Sequence, residues 1–178
     1  MTAEAREQIV EAAIKLFADQ GIAATSMAQI AEAAGISRAW LYRNFDNRDP
    51  IVKTALARYS GRTAAMLTAA DRAERPVDQA VIAVFCHLVT TGRAARYIPE
   101  ILMTDPDTVI GPAVAELERY LVTQRAVLSK SRGRVAAEAI ARLILSTITT
   151  ASVTMDFDNP KAVRAFAKQV VPQLLSPR

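Results

Sequence analysis

Thr25-Ser26-Met27-Ala28-Gln29-Ile30-Ala31-Glu32-Ala33-Ala34-Gly35-Ile36-Ser37-Arg38-Ala39-Trp40-Leu41-Tyr42-Arg43-Asn44-Phe45 is the stretch that decides the fold. Ser26-x-x-Gln29 has capping-box spacing, so a short helix opens at Ser26, with Ile30 and Ala34 on its inner face. Gly35 ends that helix by taking a turn conformation that a Cβ would penalise. Ser37 then caps a second short helix, which sets Leu41 and Phe45 four apart on its buried side. Two short helices around a glycine turn, the second carrying Arg and aromatic residues outward, make a helix-turn-helix. Ala31 is small where the helices must cross, and Ile30, Ala34, Ile36 and Leu41 join them. Arg38, Ala39, Trp40, Tyr42, Arg43 and Asn44 are left to the faces away from the core.

Outward from this stretch the pattern stays helical, with no sustained apolar–polar alternation of the kind a half-buried strand needs. Ile9, Ala12, Ala13, Leu16 and Phe17 share a face of a helix over 6–20, which Gly21 closes. Asp49 caps a further helix with Pro50 at its first position, continuing through Ile51, Ala55, Leu56 and Tyr59. Val77, Val81, Val84, Phe85 and Leu88 form a strong stripe up to Gly92, and a shorter helix covers about 98–103. Gly111-Pro112 is expected to break the next element, and 129–133 reads as a polar loop. Two helices remain, over about 135–155 and 160–175. The expectation is an all-α chain of about nine helices, divided into 1–48 and 49–178.

Composition narrows the function. The 178 residues are 51% hydrophobic and 22% charged with only 6 Gly, enough apolar material for a sizeable core. Cys86 is the single cysteine, which suits a reducing compartment and excludes an internal disulfide framework. Glu4, Arg6, Glu7, Glu11, Lys15 and Asp19 are not what a signal peptide carries. The apolar run 139–155 is interrupted by Arg142 and by several Ser and Thr, so no membrane span is expected and the location is read as cytoplasmic. Cys86 and His87 are adjacent, about 100° apart on a helix, and cannot act as a nucleophile–base pair with each other. One His and one Cys make no metal cluster, and no phosphate-binding glycine loop occurs. The chain is therefore read as a non-enzyme without cofactor or metal.

Residues 1–50 hold five Lys and Arg against seven acids, although the whole chain is +4. Overall charge thus argues little for nucleic acid, whereas Arg38, Arg43 and Arg48 within eleven residues argue for it locally.

The stretch 25–37, with Leu41-Tyr42-Arg43-Asn44-Phe45 and the spacing of Ile9, Ala12, Ala13, Leu16, Phe17 and Gly21, resembles the DNA-binding domain of the TetR family of bacterial transcriptional regulators. Ala39 stands where that family often has Gly, Trp40 is bulkier than usual, and Asp49-Pro50 replaces a common Lys-Glu pair. The resemblance covers roughly residues 6–56. It implies a homodimer on a double-stranded, palindromic DNA operator, with residues from about 50 onward binding a small-molecule effector and dimerising. It further implies phosphate contacts from Thr25, Ser26, Ser37, Tyr42, Asn44 and Arg48. Arg38, Ala39, Trp40 and Arg43 are the candidates for the major groove. A repressor released by an apolar ligand is the favoured reading. The rival is a helical ligand-binding or adaptor protein whose helix-turn-helix has lost specific DNA binding.

Two further sets of residues are expectations of the C-terminal half. Phe85, Cys86, His87, Tyr97, Met103, Tyr120, Gln124, Thr147 and Met155 are candidate ligand contacts, because His87 and Thr147 need polar partners on otherwise apolar helices. Leu145, Ile148, Val163, Phe166, Val170 and Leu174 are the candidate dimer interface, because the last two helices carry more apolar surface than one chain would cover.

Overall fold

Local caps set the first three helices of the computed structural model, which describes residues 2–95, 97–104, 107–125 and 128–176. Thr2 Oγ1 accepts the Ala5 N–H at 3.2 Å and opens α1 (Ala3–Gln20). Gly21 closes it in the left-handed region (φ 85°), donating its N–H to the Phe17 carbonyl at 3.0 Å. α2 (Met27–Ala33) carries the full capping box: Ser26 Oγ accepts the Gln29 N–H at 3.2 Å, and Gln29 Oε1 accepts the Ser26 N–H at 2.8 Å. α3 (Arg38–Asn44) is capped by Ser37 Oγ, which accepts the Trp40 N–H at 3.2 Å. Ile9, Val10, Ala13 and Phe17 of α1 bury themselves with Ile30, Ala31, Leu41 and Phe45.

α4 (Asp49–Arg72) begins differently from the sequence expectation. Arg48 already has helical angles, Asp49 and Pro50 are the first two helical residues, and Asn47 Oδ1 accepts the Asp49 N–H at 2.9 Å. The N-cap position is thus Arg48, which makes no side-chain cap, and Asn47 before it supplies the oxygen expected of Asp49.

α5 (Val77–Ala94) runs through the middle of the remaining helices. Val81, Val84, Phe85, Leu88 and Val89 are buried against its neighbours α4, α8 (Lys130–Thr149) and α9 (Pro160–Leu175). α6 (Tyr97–Thr104) is short and touches both α1 and α8, so it bridges the first helices and the last. α7 (Asp107–Glu118) continues into a π-helical turn, Arg119–Gln124. Among the described residues these are nine α-helices without a strand, and none is long and apolar enough to cross a membrane.

Two expected breaks are absent. α7 passes through Gly111-Pro112, where both residues are exposed and the backbone bond that proline forfeits lies on the solvent side. The expected loop at 129–133 is instead the first turn of α8. Gly133 is buried there, and a Cβ on it would overlap Cγ2 of Val122, so the glycine serves close packing and not a turn. α8 also ends earlier than expected, at Thr149. Thr147 and Thr149 donate their hydroxyls back to the Leu143 and Leu145 carbonyls at 2.6 and 3.0 Å, a pattern that weakens helix propagation. Residues 150–159 form an exposed connector, and Asn159 caps α9 by accepting the Lys161 N–H at 3.0 Å.

Candidate nucleic-acid interface

Ile30, Ala31, Leu41 and Phe45 hold α2 and α3 together, and Gly35 (φ 67°) makes the turn between them. Burial of Leu41 and Phe45 fixes the rotation of α3. Arg38 and Tyr42 then lie four apart on one exposed ridge, with Ala39 and Arg43 on the next. Tyr42 is 52% exposed, unusual for a large aromatic side chain and consistent with a surface kept open for a partner. Asn44 is exposed and donates Nδ2 to the Trp40 carbonyl at 2.8 Å, while Ser26 and Ser37 stand exposed at the starts of α2 and α3. Two guanidiniums, a phenol and a small methyl group on adjacent ridges match what a major groove offers: guanine acceptors, phosphates and thymine methyls.

Three of the expected DNA contacts are used otherwise. Thr25 is 1% exposed; its hydroxyl donates to the Gly21 carbonyl at 2.7 Å and accepts from Gln20 Nε2 at 3.1 Å, so it is a loop strut. The Arg48 guanidinium turns inward and donates through one nitrogen to the carbonyls of Ile22 and Thr25, the latter at 2.6 Å. It is a clamp on the 21–25 loop and not a free cation for phosphate. Trp40 is half-buried and packs against the core. One participant had no sequence signal: Glu100 of α6 reaches the same loop, accepting the Ile22 and Ala23 N–H groups at 2.8 and 3.0 Å. A carboxylate 78 residues away leaves no local pattern to find.

The expected ligand residues do not converge. Among the described residues His87 has Thr91 Oγ1 near Nδ1, at 3.5 Å, and its pKa is held below the ordinary value by burial and then by the charge of Arg62 on α4. Thr147 needs no ligand, because the Leu143 carbonyl accepts its hydroxyl. Phe85 lies 6.0 Å from Phe166, which meets Phe157 edge-on at 5.3 Å, an aromatic cluster between α5 and α9. Tyr97 packs on Phe17 of α1, Met155 lies half-buried in the connector, and burial raises the Cys86 thiol pKa. The side chains of Met103 and Gln124 lie outside the described residues. Of the ligand candidates with described side chains, buried Tyr120 keeps an unmet need: its hydroxyl has no hydrogen-bond partner among the described residues, and desolvation raises its pKa.

A small, partly open apolar pocket of about 30 Å³ lies elsewhere, walled by residues that include Leu88, Ile98, Leu102, Val109 and Ile144. Leu145 and Ile148, expected at a dimer interface, also line it. Ile148 and Val163 are buried in their own chain and unavailable to a partner, while Phe166, Val170 and Leu174 remain partly exposed.

The fold and the exposed face of α3 define a helix-turn-helix unit at the start of an all-α chain. Residues 9–55 match the sequence profile of "Bacterial regulatory proteins, tetR family". Over these residues the chain carries the DNA-binding domain of that family. It is 38% identical over 105 residues to the HTH-type transcriptional regulator TtgR of Pseudomonas putida, a match covering 56% of this chain and 49% of that protein. This chain thus spans about half the length of TtgR. A longer match, 29% identity over 175 residues, joins it to the uncharacterized HTH-type transcriptional regulator Rv1255c of Mycobacterium tuberculosis, covering 94% of this chain and 84% of that one. Among solved structures, the multidrug binding protein EbrR complexed with malachite green has the same fold: TM-score 0.70 at 17% identity, covering 97% and 98% of the two chains.

Proposed function

We propose that the chain is a homodimeric repressor that binds a palindromic operator through α3 and is released by a small, largely apolar ligand. Residues 1–48 form the DNA-binding unit and residues 49–178 the ligand-binding and dimerisation unit, acting in the cytoplasm where the operator lies. The observation that carries the reading is the outward ridge pair of α3, with Arg38, Tyr42, Ala39 and Arg43 exposed on a helix rigidly seated by Leu41 and Phe45. Arg43 and Arg38 read base edges, while Tyr42, Asn44, Ser26 and Ser37 hold phosphates. Dimerisation uses the outer faces of α8 and α9: Val135 is 68% exposed, and Ala139, Ser146, Val170 and Leu174 extend that face. Two α3 helices related by a twofold axis then enter successive major grooves about 34 Å apart.

The ligand site is the apolar pocket between α5, α6, α7 and α8, enlarged when occupied, because at about 30 Å³ it holds no more than a water-sized group. EbrR, with the same fold, takes malachite green, and an apolar wall of Leu88, Ile98, Leu102 and Ile144 suits a similarly greasy compound. The test is selection of duplex DNA from a random pool on the full-length protein. A twofold-symmetric consensus, weakened by Arg43→Ala and released by an apolar dye, is expected. Binding without sequence preference would overturn the reading in favour of a ligand-binding protein that no longer recognises an operator.

A further inference from the structure

We propose that Glu100 is a positioning residue for DNA binding: from α6 it grips the backbone of the α1–α2 loop and fixes the angle at which the helix-turn-helix leaves α1. The inference rests on the DNA-binding reading above. The geometry has two sides. Glu100 Oε2 accepts the Ile22 N–H at 2.8 Å and Oε1 accepts the Ala23 N–H at 3.0 Å, so both carboxylate oxygens are committed to one short stretch of backbone. From the other side, Arg48 donates to the Ile22 and Thr25 carbonyls. The peptide groups of this loop are therefore held by a full negative charge on their N–H side and a full positive charge on their C=O side. Hydrogen bonds to ionised groups are roughly twice as strong as neutral ones.

Gly21 makes the grip possible. Its φ of 85° turns the next two amides toward α6, and a Cβ there would come within 3.1 Å of Glu100 Oε2. Tyr97, one turn earlier on α6, packs its ring at a tilt against Phe17 of α1 with centroids 6.1 Å apart, a second contact that holds α6 beside α1. Nothing slack separates the gripped residues from the reading head. Thr25 is strapped to the Gly21 carbonyl, Ser26 opens α2, and α2 carries α3 through Ile30 and Leu41. A carboxylate in the second half of the chain thus adds to the apolar packing of α1 on α2 in setting where α2 and α3 stand.

Charge alone predicts the opposite sign from positioning, which makes the proposal sharp. Removing a negative charge from a DNA-binding protein strengthens its attraction to phosphates. Loss of the grip weakens binding, because the α2–α3 unit no longer meets the groove in a fixed orientation. The experiment uses full-length wild type, Glu100→Ala, Glu100→Gln and the exposed-carboxylate control Glu11→Gln. Each is titrated by fluorescence anisotropy against a duplex selected from random sequence on the wild type. Amide hydrogen exchange at Ile22 and Ala23 is followed in parallel. Glu100→Ala is expected to weaken binding about tenfold and to speed exchange at both amides. Glu100→Gln, which keeps one acceptor oxygen, is expected to fall between it and wild type, while Glu11→Gln binds equally or more tightly. If Glu100→Ala fails to fold, Glu100→Gln carries the comparison. Folded variants that bind as tightly as wild type, or that keep both amides protected, overturn the proposal. A wild type that selects no duplex instead overturns the DNA-binding reading itself.

Discussion

The first 48 residues and the helices that follow are held together by different kinds of contact. In the first, side chains cap and brace the backbone three to four residues away: Thr2 to Ala5, Ser26 to Gln29, Ser37 to Trp40, Gln20 to Ala24. Beyond them, the polar ties join distant segments. Arg93 donates to the Thr147 carbonyl at 2.8 Å and Arg125 to Asp71 at 2.9 Å, each across 54 residues. The difference teaches that a short recognition unit can be specified by local rules, while the larger helical body is specified by which helices happen to meet.

The largest test of that contrast sets one glycine against another. Gly133→Ala should destabilise the chain by about 1–3 kcal/mol in urea unfolding, because the new Cβ collides with the stiff Val122 side chain of the π-helical turn. Gly35→Ala should cost about 1–2 kcal/mol for a different reason, its left-handed φ of 67°, since a Cβ there meets open space. An adjacent-volume swap, Val122→Ala combined with Gly133→Ala, should recover part of the first loss and none of the second. Ser26→Ala comes next, at about 1 kcal/mol, through loss of the capping box. Its effect should be additive with changes in the C-terminal helices that do not touch the Glu100 grip on the 21–25 loop.

A long-range tie should show the reverse. A double-mutant cycle on Asp71 and Arg125, both partly exposed, should return a small favourable coupling, read from chemical denaturation of the four proteins. Zero coupling would mean that α4 and the π-helical turn are joined by apolar packing alone. The smallest expected effect is a pH dependence. Burial and Arg62 hold the folded His87 pKa below 6.5, so as pH falls the unfolded chain takes up that proton first. The stabilisation is complete above the unfolded value and is lost as pH falls through the folded one. His87→Gln should flatten that part of the stability curve between pH 7 and 5.

This division also explains what the sequence made legible. The helix-turn-helix, its glycine turns and its caps follow from residues within a few positions of one another, so α1, α2 and α3 and the exposure of Arg38, Tyr42 and Arg43 could be read directly. Gly133 was misread as a loop residue because its reason, Val122 on a neighbouring element, is not local. Thr147 looked like an orphan because a hydroxyl's option of bonding its own helix, here the Leu143 carbonyl, is invisible in composition. Arg48 looked like a phosphate contact because charge pattern does not reveal which way a guanidinium turns. Ile148 and Val163 carried the right apolar character for an interface, but the helix rotation that buries them in their own chain depends on α5.

The span between Glu100 and the loop it grips has a consequence for how the chain is made. Synthesis proceeds from the N-terminus, and the Ile22 amide leaves the ribosome 78 residues ahead of its carboxylate partner. At about 5–20 residues per second, that interval lasts roughly 4–16 s. During it, α1, α2 and α3 can form on their own caps, and Thr25 and Arg48 brace the loop between α1 and α2, but the Ile22 and Ala23 amides still wait for their acceptor. A nascent recognition unit is therefore present before its orientation is fixed, and the arrival of α6 completes it.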